Sequence, residues 1–183
     1  MDQFDEHFTV TVEDEFSVHF KVPILYSEDF ISLSKLQPSI VSAEKGNEHW
    51  RYWFRKVDER GEIIQPELKF YFDLVFNEDQ RLIRWGFSSL FLQIAPAPFL
   101  EASLRSLGGA KINQFKRQLK ADISTIEKIA TDLPQKIQVI RQLGKPLRIK
   151  KELNQDIYIY HFKLSNLQIM FLVTTKQYLE TYT

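Results

Sequence analysis

Four histidines are the first residues to test for chemistry. His7, His19, His49 and His161 form no HxH or HxxxH pair, so no two of them have the short-range spacing of metal ligands. The chain has no cysteine, which removes disulfides, thiolate nucleophiles and sulfur-ligated metals. No serine stands in a Gly-x-Ser-x-Gly setting. Leu107-Gly108-Gly109-Ala110-Lys111 lacks the spacing of a phosphate loop and reads as a helix break. Asn77-Glu78-Asp79 lacks the alternating ligands of a calcium loop and suits a hairpin turn. The sequence therefore predicts no catalytic residue, no metal site and no cofactor, in a protein that is not an enzyme.

The stronger chemical signal is recognition. His49–Val57 and Leu68–Phe76 alternate as strands, with Trp50, Tyr52 and Phe54 on one face of the first and Phe70, Phe72, Leu74 and Phe76 on one face of the second. If those faces meet helices, then Arg51, Trp53, Arg55, Tyr71 and Asp73 point away. Near the C-terminus, Ile157–Leu164 and Leu167–Thr174 read as a hairpin around Ser165-Asn166. Its outward set is Ile157, Ile159, His161, Met170 and Leu172.

A solvated sheet face should be mostly polar, whereas this one is aromatic and basic in one region and apolar in the other. Two readings stay open. Another part of the chain covers the face, or it is a recognition surface, since Trp, Tyr and Arg are the usual anchors of protein interfaces. The candidate binding residues are Arg51, Trp53, Arg55, Tyr71, His161 and Met170. A base-stacking platform is disfavoured, because 24 Lys and Arg balance 24 Asp and Glu and nucleic-acid binding needs a basic surface.

Other elements must position these strands. Phe8–Val12 and Phe16–Val22 predict an N-terminal hairpin around Glu13-Asp14-Glu15, ended by Pro23. Ser27 is placed to cap a helix running to about Leu36, and Pro38 stops it. Arg81–Phe87 starts a further strand, and Ala95-Pro96-Ala97-Pro98 reads as a stiff connector between halves. From Phe99 the period becomes helical, with Leu100, Leu104, Leu107, Lys111, Phe115, Leu119 and Ile123 on one stripe that Gly108-Gly109 interrupts. A short helix at about Thr125–Thr131 follows. Pro134 suits the first turn of the next helix, which ends at Leu143 with Gly144 as a left-handed cap. With 15 Phe, 7 Tyr and 3 Trp the core should be β-rich.

The chain also matches itself. Pro38, Trp50, Tyr52, Phe54 and Arg55 align with Pro146, Tyr158, Tyr160, Phe162 and Lys163, all 108 positions apart. Leu74, Gln80, Leu82 and Trp85 align with Phe171, Gln177, Leu179 and Tyr182 at a separation of 97. The 11-residue difference falls in one hairpin loop, long at Asp58–Leu68, as an internal duplication with an insertion would produce.

Residues 126–162 resemble the SmpA/OmlA (BamE-like) family of small bacterial envelope lipoproteins. The matching features are Gln138-Val139, Leu143-Gly144-Lys145-Pro146, the aromatic strand Tyr158–Phe162 and its partner Leu167–Val173. Asp132-Leu133-Pro134 stands where the family has Gly-Met-Thr, as in a remote relative. Two such units in tandem resemble the β-lactamase inhibitor protein architecture, although the first keeps only Leu36, Pro38 and the strands.

The expected fold is α+β: two related helix-plus-antiparallel-sheet repeats, a tandem of SmpA-like units, with helices packed on one face of the sheet. Residues 1–97 would form the first repeat and 98–183 the second. The resemblance implies a non-enzymatic protein-binding or assembly module of a bacterial envelope. It would be periplasmic or outer-membrane-anchored, reaching the membrane only through a lipid anchor upstream of Met1, with a cytoplasmic location as the alternative. An inhibitor or immunity-type blocker of an enzyme or toxin, and a small-ligand carrier or enzyme with a pocket between sheet and helices, are the competing readings. The expected partner is a protein, with no nucleic acid.

Overall fold

In a computed structural model, described over residues 3–108, 111–113, 118–120, 134–152 and 155–165, the alternating segments pair as one antiparallel sheet. The elements in chain order are α1 (Gln3–His7), β1 (Phe8–Val12), β2 (Phe16–Phe20), α2 (Ser27–Ser34), β3 (Ile40–Glu44), β4 (Asn47–Val57), β5 (Lys69–Phe76), β6 (Leu82–Phe87), α3 (Ser89–Leu92) and α4 (Ala97–Gly108). They continue as β7 (Lys111–Asn113), β8 (Gln118–Lys120), α5 (Lys136–Leu143), β9 (Arg148–Glu152), β10 (Gln155–Ile159) and β11 (His161–Ser165). The main sheet runs β1-β2-β6-β5-β4-β11, with β3 also on β4. β3 and β11 lie end to end along one side of β4: Ile40 pairs with Arg51 and Ser165 with Trp53. Two small hairpins, β9–β10 and β7–β8, complete the described strands. The chain is an α+β protein with a mostly antiparallel sheet.

Period-two alternation sorts β4 and β5 into two faces. Trp50, Tyr52, Leu74, Phe76 and Leu82 form one buried cluster, against which Phe30 and Ile31 of α2 pack. Phe16, Val18 and Phe87 form a second, covered by Phe91 and Leu92 of α3 and Leu100 and Leu104 of α4. Phe16 and Phe76 are fully buried. Rings run through both clusters, Trp50 meeting Phe76 at 4.6 Å in the first and Phe16 meeting Phe87 at 5.8 Å in the second; beside them Phe70 meets Phe162 of β11 at 4.9 Å. These contacts put the described helix packing on one side of the sheet.

α5 is tied to that side by a buried cation. Lys56, 6% exposed, donates from Nζ to the carbonyl of Leu143 and, at 2.8 Å, to that of Lys145. These carbonyls lie at the negative end of α5, where a cation is favoured. The Tyr160 hydroxyl donates to the Gly144 carbonyl at 3.1 Å.

Several expectations are corrected. α4 stops at Gly108, and Lys111 and Leu119 of the predicted helical stripe stand in strands β7 and β8; Phe115 and Ile123 lie outside the described residues. Ala97 and Pro98 open α4 and are not an extended connector. Ser27 is the first helical residue, and its hydroxyl donates to Gln80 Oε1 at 3.0 Å without capping the helix. Pro134 precedes α5, whose cap is Gln135 with Gln138 reaching back to it. Gly144 has φ +68° and ψ −163°, not a left-handed helical cap but a region essentially confined to glycine. The left-handed cap is at Lys35, after α2. The predicted strand Ile157–Leu164 breaks at Tyr160: β10 pairs with β9 and β11 with β4. The predicted helix Thr125–Thr131 and strand Leu167–Thr174 lie outside the described residues.

Candidate functional site

The odd-numbered residues of β4 and β5 share the sheet face away from these helices. Antiparallel register places Arg51 opposite Asp73, Trp53 opposite Tyr71 and Arg55 opposite Lys69; directly opposed side chains share a face. Arg51 makes a two-pronged pair with Asp73, Nε to Oδ1 at 2.7 Å and Nη2 to Oδ2 at 2.6 Å. This geometry is the strong form of a guanidinium–carboxylate bond. The same guanidinium lies 4.0 Å from the centre of the Tyr71 ring and 5.7 Å from that of Trp53. The two rings meet edge to face at 4.8 Å. Lys69 Nζ stands 5.0 Å from the Trp53 ring.

Neighbouring elements lock this cluster. The Tyr71 hydroxyl donates to the Glu15 carboxylate, and Glu15 Oε2 lies 3.8 Å from Arg84 of β6. The Ser39 hydroxyl accepts from the Trp53 amide at 3.0 Å, and that of Ser88 from the Tyr71 amide at 3.1 Å. Both serines are buried. Electrostatics follow from these contacts. The Tyr71 phenol is pushed up to about 12 by burial, then by its bond to Glu15 and that carboxylate's charge. The Asp73 carboxylate, bonded to Arg51, holds the guanidinium's pKa above its ordinary value. Burial, then the charge of Arg84, holds the His19 imidazole below its ordinary range.

The structure thus brings Arg51, Trp53 and Tyr71 into contact. Arg55 lies one row further along, with Nε 3.1 Å from Glu67 Oε1 but outside hydrogen-bonding geometry. His161, exposed on β11, is opposite Val57 and shares the face without touching the cluster. Met170 lies outside the described residues. Sequence reasoning missed Glu15, read only as a turn residue, together with Ser39, Ser88 and Lys69. The hairpin register would have put Lys69 beside Arg55; nothing local points to the two serines.

On the helix side, a cavity of about 310 Å³ opens between α2 and the sheet, lined by Leu25, Tyr26, Phe30, Leu33, Ser34, Phe76 and Leu82. Its apolar walls bring no acid–base pair together. Among the described residues no group of three His, Asp or Glu is placed to hold a metal, and no helix is long and apolar enough to cross a membrane. The chain matches no protein-family model, no curated protein and no solved structure.

Proposed function

We propose that this chain is a non-enzymatic protein-binding module of a bacterial envelope and that its contact surface is the sheet face around Arg51, Trp53 and Tyr71. The observation that carries the reading is a guanidinium and two rings held rigidly together on a face against which no described helix packs. Such residues dominate interface energetics, and fixing them beforehand lowers the ordering cost of association. The carboxylates on this face are engaged: Asp73 with Arg51, Glu15 with Tyr71 and Arg84, Glu67 with Arg55. That arrangement suits a rigid contact surface better than proton transfer.

The module is built from two related repeats. β3 and β9 have bounds 108 positions apart, as do β4 and the span of β10 plus β11, which is the separation of the internal sequence match. α2 and α5 precede these strands at nearly the same offset. The envelope location, periplasmic or outer-membrane-anchored, rests on the resemblance of residues 124–183 to the SmpA/OmlA lipoproteins.

Affinity capture from native fractions tests the reading, with wild type and the Arg51→Ala/Trp53→Ala variant as baits. The expected result is a dominant protein partner held by wild type and lost by the variant at a temperature where both remain folded, the variant being the less stable because Arg51→Ala leaves the buried Asp73 carboxylate unpaired. Equal capture by both baits would remove this face from the function.

A further inference from the structure

We infer that the row Lys69–Arg55–Lys163, which crosses three adjacent strands beside Trp53, seats the carboxylates of an extended acidic segment of the protein partner. The inference rests on the outward sheet face being the contact surface, and it names the chemistry of what docks there. Arg55 of β4 is directly opposite Lys69 on β5 and directly opposite Lys163 on β11, so three cations stand abreast on one face. Directly opposed residues have Cβ atoms about 4.5–5.5 Å apart, and like charges at that spacing destabilise a sheet. One carboxylate from the long hairpin loop, Glu67, answers the central cation. Lys69 and Lys163 are both exposed, and among the described residues neither ammonium makes an ion pair. Lys69 stands over the Trp53 ring, which joins the row to the aromatic cluster.

A sheet built for stability alone would alternate the sign of charge across this row. Placing three cations there weakens the fold and prepares a site that an external anion relieves, the usual relation between stability and a functional surface. The anion's class follows from the surroundings. A polyanionic backbone draws its affinity from many phosphates neutralised along a basic track. Here the cationic row is short, and Asp73, Glu15 and Glu67 lie on or beside the same face. A strand-like segment with carboxylates on alternate residues, about 6.6–6.8 Å apart, fits within the reach of the two lysine stems and leaves those protein carboxylates uncrowded.

The test uses the full chain, a labelled (Thr-Glu)3 peptide, its (Thr-Lys)3 counterpart and a six-nucleotide single-stranded DNA, read by fluorescence anisotropy at low and moderate salt. The expected result is saturable binding of the acidic peptide that weakens with salt, little binding of the other two, and at least a ~10-fold loss in Lys69→Glu/Lys163→Glu. That variant should melt at the wild-type temperature or above, because the substitutions remove repulsion around Arg55; reduced binding by a more stable protein separates recognition from misfolding. Equal peptide binding by wild type and variant, absence of binding by wild type, or tighter binding of the DNA would each overturn the inference. Partner capture distinguishes the two levels. Loss of the partner with Arg51→Ala/Trp53→Ala but retention with Lys69→Glu/Lys163→Glu would leave the face as the contact surface and remove its acidic ligand.

Discussion

Neighbouring residues of β4 live in different settings, Trp50 and Tyr52 buried and Arg51 and Trp53 half-buried, while on β5 Asp73 and Val75 are as deeply buried as Leu74 and Phe76. Trp50, Tyr52, Leu74 and Phe76 are buried beneath α2, and burial of their apolar surface accounts for their place there. Arg51, Trp53 and Tyr71, one position along, lie on the face without helices, yet carry two aromatic rings and a guanidinium where a solvated face would carry small polar groups. The contrast teaches that apolar burial specifies the inner face and does not by itself account for the composition of the outer one. The ordering of the outer cluster by Asp73, Glu15, Ser39 and Ser88 points the same way, because side chains that serve only to be solvated need no such support.

The comparison can be broken most forcefully by truncation on each face. Phe76→Ala should cost about 3–5 kcal/mol in urea unfolding, as a fully buried ring lost to a cavity. Trp53→Ala should cost about 0.5–1.5 kcal/mol, the worth of its edge-to-face contact with Tyr71; equal large losses would mean both faces are core. Gly144→Ala probes how the helix side is held. Its backbone conformation should make alanine cost about 1–3 kcal/mol, and the new Cβ would stand 3.4 Å from Lys56 Nζ. An unchanged melting temperature would show that α5 is not anchored through this turn.

Paired hydroxyl deletions sharpen the contrast. Tyr52 is buried and its hydroxyl has no hydrogen-bond partner among the described residues, whereas the Tyr71 hydroxyl is bonded to Glu15. Tyr52→Phe should therefore raise stability and Tyr71→Phe lower it, each by about 1 kcal/mol; changes of the same sign would contradict the two assignments. The smallest effect is in pH. Because the folded chain holds the His19 imidazole below its ordinary pKa of about 6.5, the unfolded chain takes up the proton more readily. Stability is then full above about 6.5 and falls as pH drops toward the lower folded pKa, below which it levels off. His19→Asn should flatten that part of the stability–pH curve, and a curve identical to wild type would remove His19 from it.

Much of this was legible in the chain because alternation is a local property. β1, β2, β4, β5 and β6 were readable from side-chain period alone, and with them the division of Trp50 and Tyr52 from Arg51 and Trp53. β3 and β9 were not, since Ile-Val-Ser-Ala-Glu and Arg-Ile-Lys-Lys-Glu carry little apolar alternation and become strands through pairing with β4 and β10. Pairing also decided what the long aromatic strand near the C-terminus would do: its two ends find different partners and it breaks at Tyr160. Lys56 shows the same limit. Nothing near it in sequence indicates a buried ammonium, because its acceptors, the carbonyls of Leu143 and Lys145, arrive from a distant helix end. The Arg51–Asp73 pair was recoverable from register, while Glu15 reaches Tyr71 from a turn whose place over the sheet is a tertiary fact.

The most direct measurement sets the outer face against an apolar feature of the helix side, the cavity under α2. Wild type, Trp53→Ala and Leu33→Ser, the last a change at the cavity rim where Leu33 is 73% exposed, are used side by side as capture baits after their melting temperatures are matched. The account predicts that Leu33→Ser retains the partner and Trp53→Ala loses it. Retention by Trp53→Ala with loss by Leu33→Ser would contradict it and move recognition to the helix side.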